Sequence, residues 1–289
     1  MKRRDFIRNT IKTAGVLSIS KFPKQLFAGD QKLYANDVVT LGNTGIKTSR
    51  IAMGTGSNGW RGSSDQTRKL GIKGLSDLLK HAYDRGVFFW DSADQYGTHP
   101  HLKEALKTIP REKVVILTKS TSTNAKDMQA DIDRFRKEIG TDYLDIVLLH
   151  AVTDGNWTEN KKPEMEILSK ALEDKIIRAH GISCHSLEAL KAASNSDWVQ
   201  VDLVRYNPDG VRMDAEPKVV REVIKKMKKD GKGIVGMKVF GAGQLTNRID
   251  ECLNYHLTSN FIDSTTIGIE SIDQFDDLIK RIPKASINF

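Results

Sequence analysis

Only two cysteines, Cys184 and Cys252, occur in 289 residues. Two cannot build a disulfide framework or the Cys-rich spacing of an iron–sulfur or zinc cluster. Proline (7) and glycine (22) are too sparse for a collagen-like or low-complexity chain. No stretch approaches the roughly 18 consecutive apolar residues of a transmembrane helix, so no stable membrane span is expected. His, Asp and Glu do not recur at ligand spacing, so no metal site is expected and a metal-dependent lyase is a weak reading. What remains is a chain with 39% hydrophobic and 28% charged residues. That composition suits a folded globular body with a sizeable core.

The formal charge of +8 at first suggests nucleic acid. Its location removes that suggestion. Residues 1–28 hold Lys2, Arg3, Arg4, Arg8, Lys12, Lys21 and Lys24 against Asp5 alone. The rest of the chain is close to neutral, so no phosphate-neutralising stripe and no nucleic-acid partner are expected. Within this basic segment, Arg3-Arg4-Asp5-Phe6-Ile7 precedes a mildly apolar run, Ala14 to Ile19. Paired arginines, then Phe, then a weak apolar stretch resemble a bacterial twin-arginine export signal. That resemblance implies the twin-arginine export machinery as a partner and a periplasmic location. The other reading is the basic N-terminus of a cytoplasmic chain. Residues 1–28 are read as the signal segment and 36–289 as one catalytic domain.

From residue 38 the rhythm is structural. Val38 to Leu41 and Ile46 to Thr48 flank Gly42-Asn43-Thr44-Gly45, which reads as a β-hairpin. Eight short apolar runs follow: Ile51 to Met53, Val87 to Trp90, Val114 to Leu117, Leu144 to Leu149, Ile177 to Ile182, Val201 to Val204, Ile234 to Met237 and Thr265 to Ile267. Each is continuous rather than alternating, as in parallel strands buried on both faces. Amphipathic segments lie between them. Residues 67–85 align Leu70, Leu75, Leu78, Leu79 and Ala82; residues 126–139 align Met128, Ile132, Phe135 and Ile139. Pro163 and Pro217 mark helix starts, and Gly86, Gly140 and Gly231 mark helix ends. One strand–helix unit per roughly 30 residues, eight times, predicts an α/β fold: a (β/α)8 TIM barrel preceded by a short hairpin. A doubly wound sheet shares the alternation and is second. Gly54-Thr55-Gly56-Ser57-Asn58-Gly59 matches a dinucleotide fingerprint, but loop residues follow it where a helix should open.

Chemistry in such a barrel sits where the strands end, because the loops converge there. Three successive strands finish with Asp91, Lys119 and His150, spaced by 28 and 31 residues. Tyr96 lies on the loop just past Asp91. Four polar groups in register with the barrel period are hard to assign to chance. Asp91-Ser92-Ala93-Asp94-Gln95-Tyr96-Gly97 resembles the D-x-A-x-x-Y-G signature of aldo-keto reductases. Similarity runs from about residue 38 to 282. It includes Leu41 to Gly45, Gly54-Thr55, Lys119-Ser120, Leu149-His150, Gly181-Ile182-Ser183, Tyr206-Asn207 and Met237 to Gly243.

The resemblance implies a nicotinamide cofactor, NADP or NAD, a small carbonyl or alcohol substrate, and a catalytic set of Tyr96, Asp91, Lys119 and His150. Hydride delivery to a carbonyl carbon builds charge on oxygen, and an acid must supply a proton there. Tyr96 is that acid. Lys119 is expected to lower its pKa, Asp91 to hold Lys119, and His150 to donate to the carbonyl oxygen. Cofactor contacts implied are Gly54, Thr55, Asp91, Ser183, Met237, Lys238, Gly241, Gly243 and Gln274.

Some positions depart from the family. Met237 stands where an aromatic ring is usual, and Cys184 follows Ser183 where Asn is frequent. Gln274 stands where Arg is frequent, and Glu270 and Asp273 oppose a 2′-phosphate, so preference for NADP over NAD is left open. Lys238 and Arg248 are the remaining cations for such a phosphate. The chain ends at Phe289, soon after the last helix, which gives the expectation of an open pocket. The loop from Val152 to Pro163, with Trp157, is expected to form part of its wall. The competing functional class is a non-catalytic nicotinamide-binding module that senses redox state or binds a partner.

Overall fold

Strands buried on both faces cannot stop at an open edge without exposing apolar surface, and here they close on themselves. The computed structural model describes residues 32–287; the expected signal segment, residues 1–28, lies outside them. Strands β1 (Val38–Thr40) and β2 (Lys47–Ser49) form the antiparallel hairpin, with Val39 opposite Thr48. The next eight are β3 (Ile51–Gly54), β4 (Phe89–Asp91), β5 (Val115–Ser120), β6 (Leu144–Val152), β7 (Ile177–Cys184), β8 (Val201–Arg205), β9 (Gly233–Met237) and β10 (Ser264–Gly268). Each pairs parallel with its neighbours in sequence, and β10 returns to β3 with Gly268 opposite Gly54. The doubly wound alternative is thereby excluded.

Leu41 and Ile46, from the hairpin turn, join the cluster inside the ring with Ala52, Phe89, Leu117 and Leu148. The Asn43 N–H donates to the Gly231 carbonyl at 2.7 Å, just before β9 begins. The hairpin therefore plugs the end where strands start, and the loops at the other end are left to build a site. Strands β5, β6 and β7 run past their apolar segments. Near their ends they carry Lys119 and Ser120, His150, and Ser183, so polar residues enter the strands before the hydrogen-bonded ladder ends. In β6 the register shifts between Leu149 and Val152, and Ala151 has φ +55°.

The helices are α1 (Asp65–Asp84), α2 (His99–Ala105), α3 (Ala125–Ile139), α4 (Trp157–Asn160), α5 (Lys162–Glu173), α6 (Leu187–Asn195), α7 (Pro217–Lys229), α8 (Ile249–Leu257) and α9 (Ile272–Ala285). In α3 the Asn124 side chain accepts from the Asp127 N–H at 2.9 Å, which satisfies one orphan donor. Met128, Ile132, Phe135 and Ile139 are all buried, and Gly140 closes the helix in the left-handed conformation. α1 differs from its expected continuous stripe. Gly71 breaks it at φ 61°, ψ −174°, so Leu70 is half-buried while Leu75, Leu78, Leu79 and Ala82 enter the core. Among the described residues no helix is long and apolar enough to cross a membrane.

Candidate active site

β4 and β5 place the first two groups. Asp91, the last residue of β4, lies opposite Leu117 of β5. Lys119 is two residues on, so it projects to the same interior face as Leu117. Lys119 is fully buried and Asp91 nearly so. An ammonium can persist there only if its hydrogens are taken up. Lys119 Nζ donates to Asp91 Oδ1 and to the Ser92 carbonyl, the latter at 2.6 Å. The second Asp91 oxygen, Oδ2, accepts from Thr266 Oγ1 at 2.9 Å. The remaining direction of Nζ points at Tyr96 Oη, 3.5 Å away. Tyr96 stands on a single 3-10 turn, Asp94–Tyr96, rather than on an open loop. Its ring meets that of His150 edge-on, with centroids 5.6 Å apart. The four expected catalytic residues are thus brought together.

Their electrostatics differ from expectation at one point. Burial pushes the Tyr96 phenol above its usual value of 10 and outweighs the downward pull of Lys119. Asp91 also opposes that pull, because the lysine charge is already paired. Tyr96 is therefore held as a protonated acid, and the expected lowering of its pKa is corrected. For Lys119, burial favours loss of the proton, but Asp91 and Tyr96 together more than offset it, so the ammonium is retained. Burial, with Lys119 and His185 nearby, holds His150 well below 6.5. A neutral imidazole has one N–H to give, and its buried Nδ1 has no partner among the described residues.

The glycine run ahead of α1 has a use that sequence reasoning missed. A Cβ on Gly56 would lie 2.2 Å from Tyr96 Cε2, and one on Gly59 would lie 2.3 Å from Cδ1. Both contacts are far inside van der Waals range, so the loop presses its bare backbone on the tyrosine ring. The only signal for this was glycine density one strand away from Tyr96. Gly56→Ala should displace the ring by about 1 Å and lower turnover by about a hundredfold. Cofactor affinity should change much less, and turnover with a simple aldehyde beside a cofactor titration checks this.

A cavity of about 590 Å³ opens beside Asp91 and Tyr96. Among the expected cofactor contacts, Gly54, Asp91, Met237, Lys238, Gly243 and Gln274 line it. Thr55, Ser183 and Gly241 do not. Thr55 Oγ1 donates to the Asp91 carbonyl at 2.9 Å and meets Thr98 Oγ1 at 2.9 Å, so it steadies Asp91 instead. Gly241 turns the loop against Val211, where a Cβ would come within 2.8 Å. Ser183 faces inward from β7 in step with Ala179, and its buried Oγ has no partner. Gln274 lines the cavity while its Oε1 accepts from the Glu270 N–H at 2.9 Å.

Two other expectations, for Trp157 and Arg248, are corrected, and Cys184 turns away from the cavity. Trp157 is buried and donates from Nε1 to the Ala189 carbonyl at 3.2 Å. It fastens α4 to α6 and forms no pocket wall, because the loop after β6 folds into a helical turn. Cys184 faces outward from β7, and its Sγ donates to Asp202 Oδ2 at 3.7 Å. Burial pushes this thiol well up, so it stays protonated. Arg248 lies outside the cavity lining and is held by Asp209 and Glu251. Arg281, which the sequence reading overlooked, does line it. It sits two helical turns beyond Gln274 and therefore on the same face of α9. It donates to Asp277 at 2.6 Å and to Asp250 at 3.0 Å.

Comparison with known proteins agrees with this architecture. The chain is 29% identical over 179 residues to "Probable aldo-keto reductase 1" of Glycine max, a match covering 53% of this chain and 50% of that one. It is 29% identical over 178 residues to "NADPH-dependent alpha-keto amide reductase" of Saccharomyces cerevisiae, covering 57% and 56% respectively. The chain spans about half the length of these two curated relatives. The solved fold of an aldo-keto reductase from Bacillus halodurans, in its holo form, superposes with a TM-score of 0.70 at 16% identity, over 88% of this chain and 91% of that one. A model of the Aldo/keto reductase family matches residues 50–281, most of the barrel. With that match and a closed eight-stranded ring, the chain belongs to the aldo/keto reductase family.

Proposed function

We propose that this chain interconverts a carbonyl and an alcohol by hydride transfer, with Tyr96 as proton donor in reduction and acceptor in oxidation. The observation that carries this reading is the buried chain Asp91–Lys119–Tyr96, with His150 edge-on to the Tyr96 ring, ending beside a cavity large enough for a dinucleotide. A nicotinamide, when bound, supplies or takes the hydride. The residues present fit it. Ser183 Oγ, although outside the cavity lining, is a buried hydroxyl with no partner among the described residues, as a carboxamide contact would be before its ligand arrives. Met237 lies in the cavity wall at the interior core, where a flat ring can pack, and Lys238 and Gly243 line the loop after β9.

In reduction, Tyr96 gives its proton to the developing alkoxide. Burial keeps that proton on the phenol until it is needed. Lys119 offsets the phenolate charge that results, and Asp91 fixes Lys119 in place. His150, neutral, donates one hydrogen bond to the substrate oxygen and orients it. The partly paired cation at Lys119 is thus worth more after proton transfer than before, which is the condition for lowering a barrier.

The names of several relatives specify NADPH or NADP(+), so NADP(H) is the first cofactor to test. The far end of the cavity argues against strong selection for it. Asp65, Glu270 and Asp277 line that end, and Arg281 is already shared between two carboxylates. A 2′-phosphate needs a cation, whereas an acidic side chain suits a 2′-hydroxyl. NADP(H) should therefore bind more tightly than NAD(H) by less than about a hundredfold, under about 2.7 kcal/mol. Fluorescence titration with both cofactors measures this. A preference above about a thousandfold would place the phosphate on Arg281 released from Asp277.

The proposal extends to export. Arg3-Arg4 ahead of Phe6-Ile7 supports delivery to the periplasm by the twin-arginine machinery. Replacing both arginines with lysine and following the protein between compartments tests it, and unchanged distribution would return the chain to the cytoplasm.

A further inference from the structure

Beyond the proton-transfer group, a second set of charged side chains meets at the ends of β7, β8 and β9. Arg205 is the last residue of β8 and lies in register with Met237 of the cavity wall. Val201 and Leu203 point into the ring, so period-two alternation sends Arg205 inward at the mouth. Its side chain is 15% exposed. One Nη donates to Asp214, whose side chain is fully buried, while Nε is buried with no partner among the described residues. Arg205 is therefore held from one side and keeps an unused donor. Lys238 follows Met237 and lines the cavity, and no carboxylate lies within ion-pair distance of it among the described residues. On the adjoining strand end, His185 follows Cys184, and its ring centroid lies 6.4 Å from that of His150.

The rings Tyr96, His150 and His185 thus form a continuous edge-to-face row from the acid toward the Arg205 strand end. Burial, then the positive charges of Arg205, Lys238 and Lys119, push His185 down to about 4, so it is neutral. Lys238 is lowered first by burial and then by Arg205. Both shifts report the same field: this side of the mouth carries more cation than carboxylate, in a partly desolvated place. A buried arginine donor without a partner is costly unless an acceptor arrives.

We propose that Arg205 forms an anion subsite next to the Tyr96–His150 pair, so that the substrate is a carbonyl compound carrying a carboxylate or phosphate several bonds from its carbonyl. This rests on the carbonyl–alcohol reading above.

The test compares molecules that differ only in that charge. Wild-type protein with NADPH should turn over glucuronate with a kcat/KM at least about tenfold above that for glucose. The double variant Arg205→Gln with Asp214→Asn removes the cation without stranding a buried carboxylate. In it the ratio should fall toward one. A phosphorylated sugar aldehyde run beside glucuronate separates the two anions. Wild-type preference for the neutral sugar, or an unchanged ratio in the double variant, overturns the proposal. So does a double variant whose NADPH affinity collapses while the substrate ratio stays, because the anion held there would be the cofactor's own. Binding of malonate, an unreactive dianion, gives a second readout by calorimetry. If the wild type reduces neither sugar nor a panel of simple aldehydes, the oxidoreductase reading has failed, and malonate alone decides the subsite. Binding that the double variant abolishes supports it. No binding, or binding that survives the substitutions, overturns it.

Discussion

Tyr96→Phe should lower turnover by about 10²–10⁴, the range of lost acid–base assistance. The fold should hardly notice. The ring keeps its packing against Gly56, Gly59 and His150, and the hydroxyl gives up only one long contact, 3.5 Å from Lys119 Nζ. Loss of such a bond costs on the order of 1 kcal/mol. Cofactor affinity should also persist, which separates this variant from one that is merely unfolded. The wild-type pH profile carries the same signature. Because burial raises the phenol above 10, the acid form survives throughout the neutral and mildly alkaline range. The reductive rate should therefore stay level up to pH 10 and fall only beyond it. Alcohol oxidation needs the phenolate, so it should rise with pH over that range. The Phe variant should show neither dependence. Turnover close to wild type, or an unchanged alkaline limb, would remove Tyr96 from the proton path.

The positions of these groups were legible because a barrel repeats. Asp91 ends β4, Lys119 is the penultimate residue of β5 and His150 lies two residues before the end of β6, with one strand–helix unit between each in sequence. Register then turns equal spacing into proximity, as in Asp91 opposite Leu117, one pleat from Lys119. Burial of whole strands was equally readable, since Leu144 to Leu149 has no polar face to offer solvent except Asp145. That exception resolves into a fully buried carboxylate bridging Arg111 and Arg178.

Side-chain direction was less legible. Cys184 follows Ser183 by one residue and therefore faces the opposite side of β7, toward Asp202 and away from the cavity. Trp157 lies in a segment that reads as loop, yet its indole is drawn into the core by a hydrogen bond to α6. Gly56 and Gly59 look like a nucleotide loop in one dimension and act on Tyr96 in three. The direction of the Tyr96 shift depended on a balance between burial and a charge already engaged elsewhere. Such balances are set by tertiary distances, and sequence spacing does not contain them.

The Asp91–Lys119 pair yields the other large expected effect. Lys119→Met fills similar volume but leaves a nearly fully buried carboxylate facing a methyl group. Thr266 Oγ1 still donates to Asp91 Oδ2, and nothing replaces the ammonium at Oδ1. Breaking a buried pair on one side costs about 3–5 kcal/mol, most of it the desolvation of the stranded charge. The melting temperature should fall accordingly. In the wild type the ammonium is present from acid through neutral pH and is lost only above its raised pKa, so this contribution is constant across that window. Turnover should fall as well, since nothing then offsets the phenolate formed when Tyr96 gives up its proton. Stability and activity can be separated by adding Asp91→Asn. The double variant no longer buries an unpaired charge, so it should regain much of the lost stability. It should not regain turnover. Thermal unfolding and steady-state rates on the single and double variants measure both. Recovery of activity along with stability would mean that Lys119 serves the fold alone and that Tyr96 works without it.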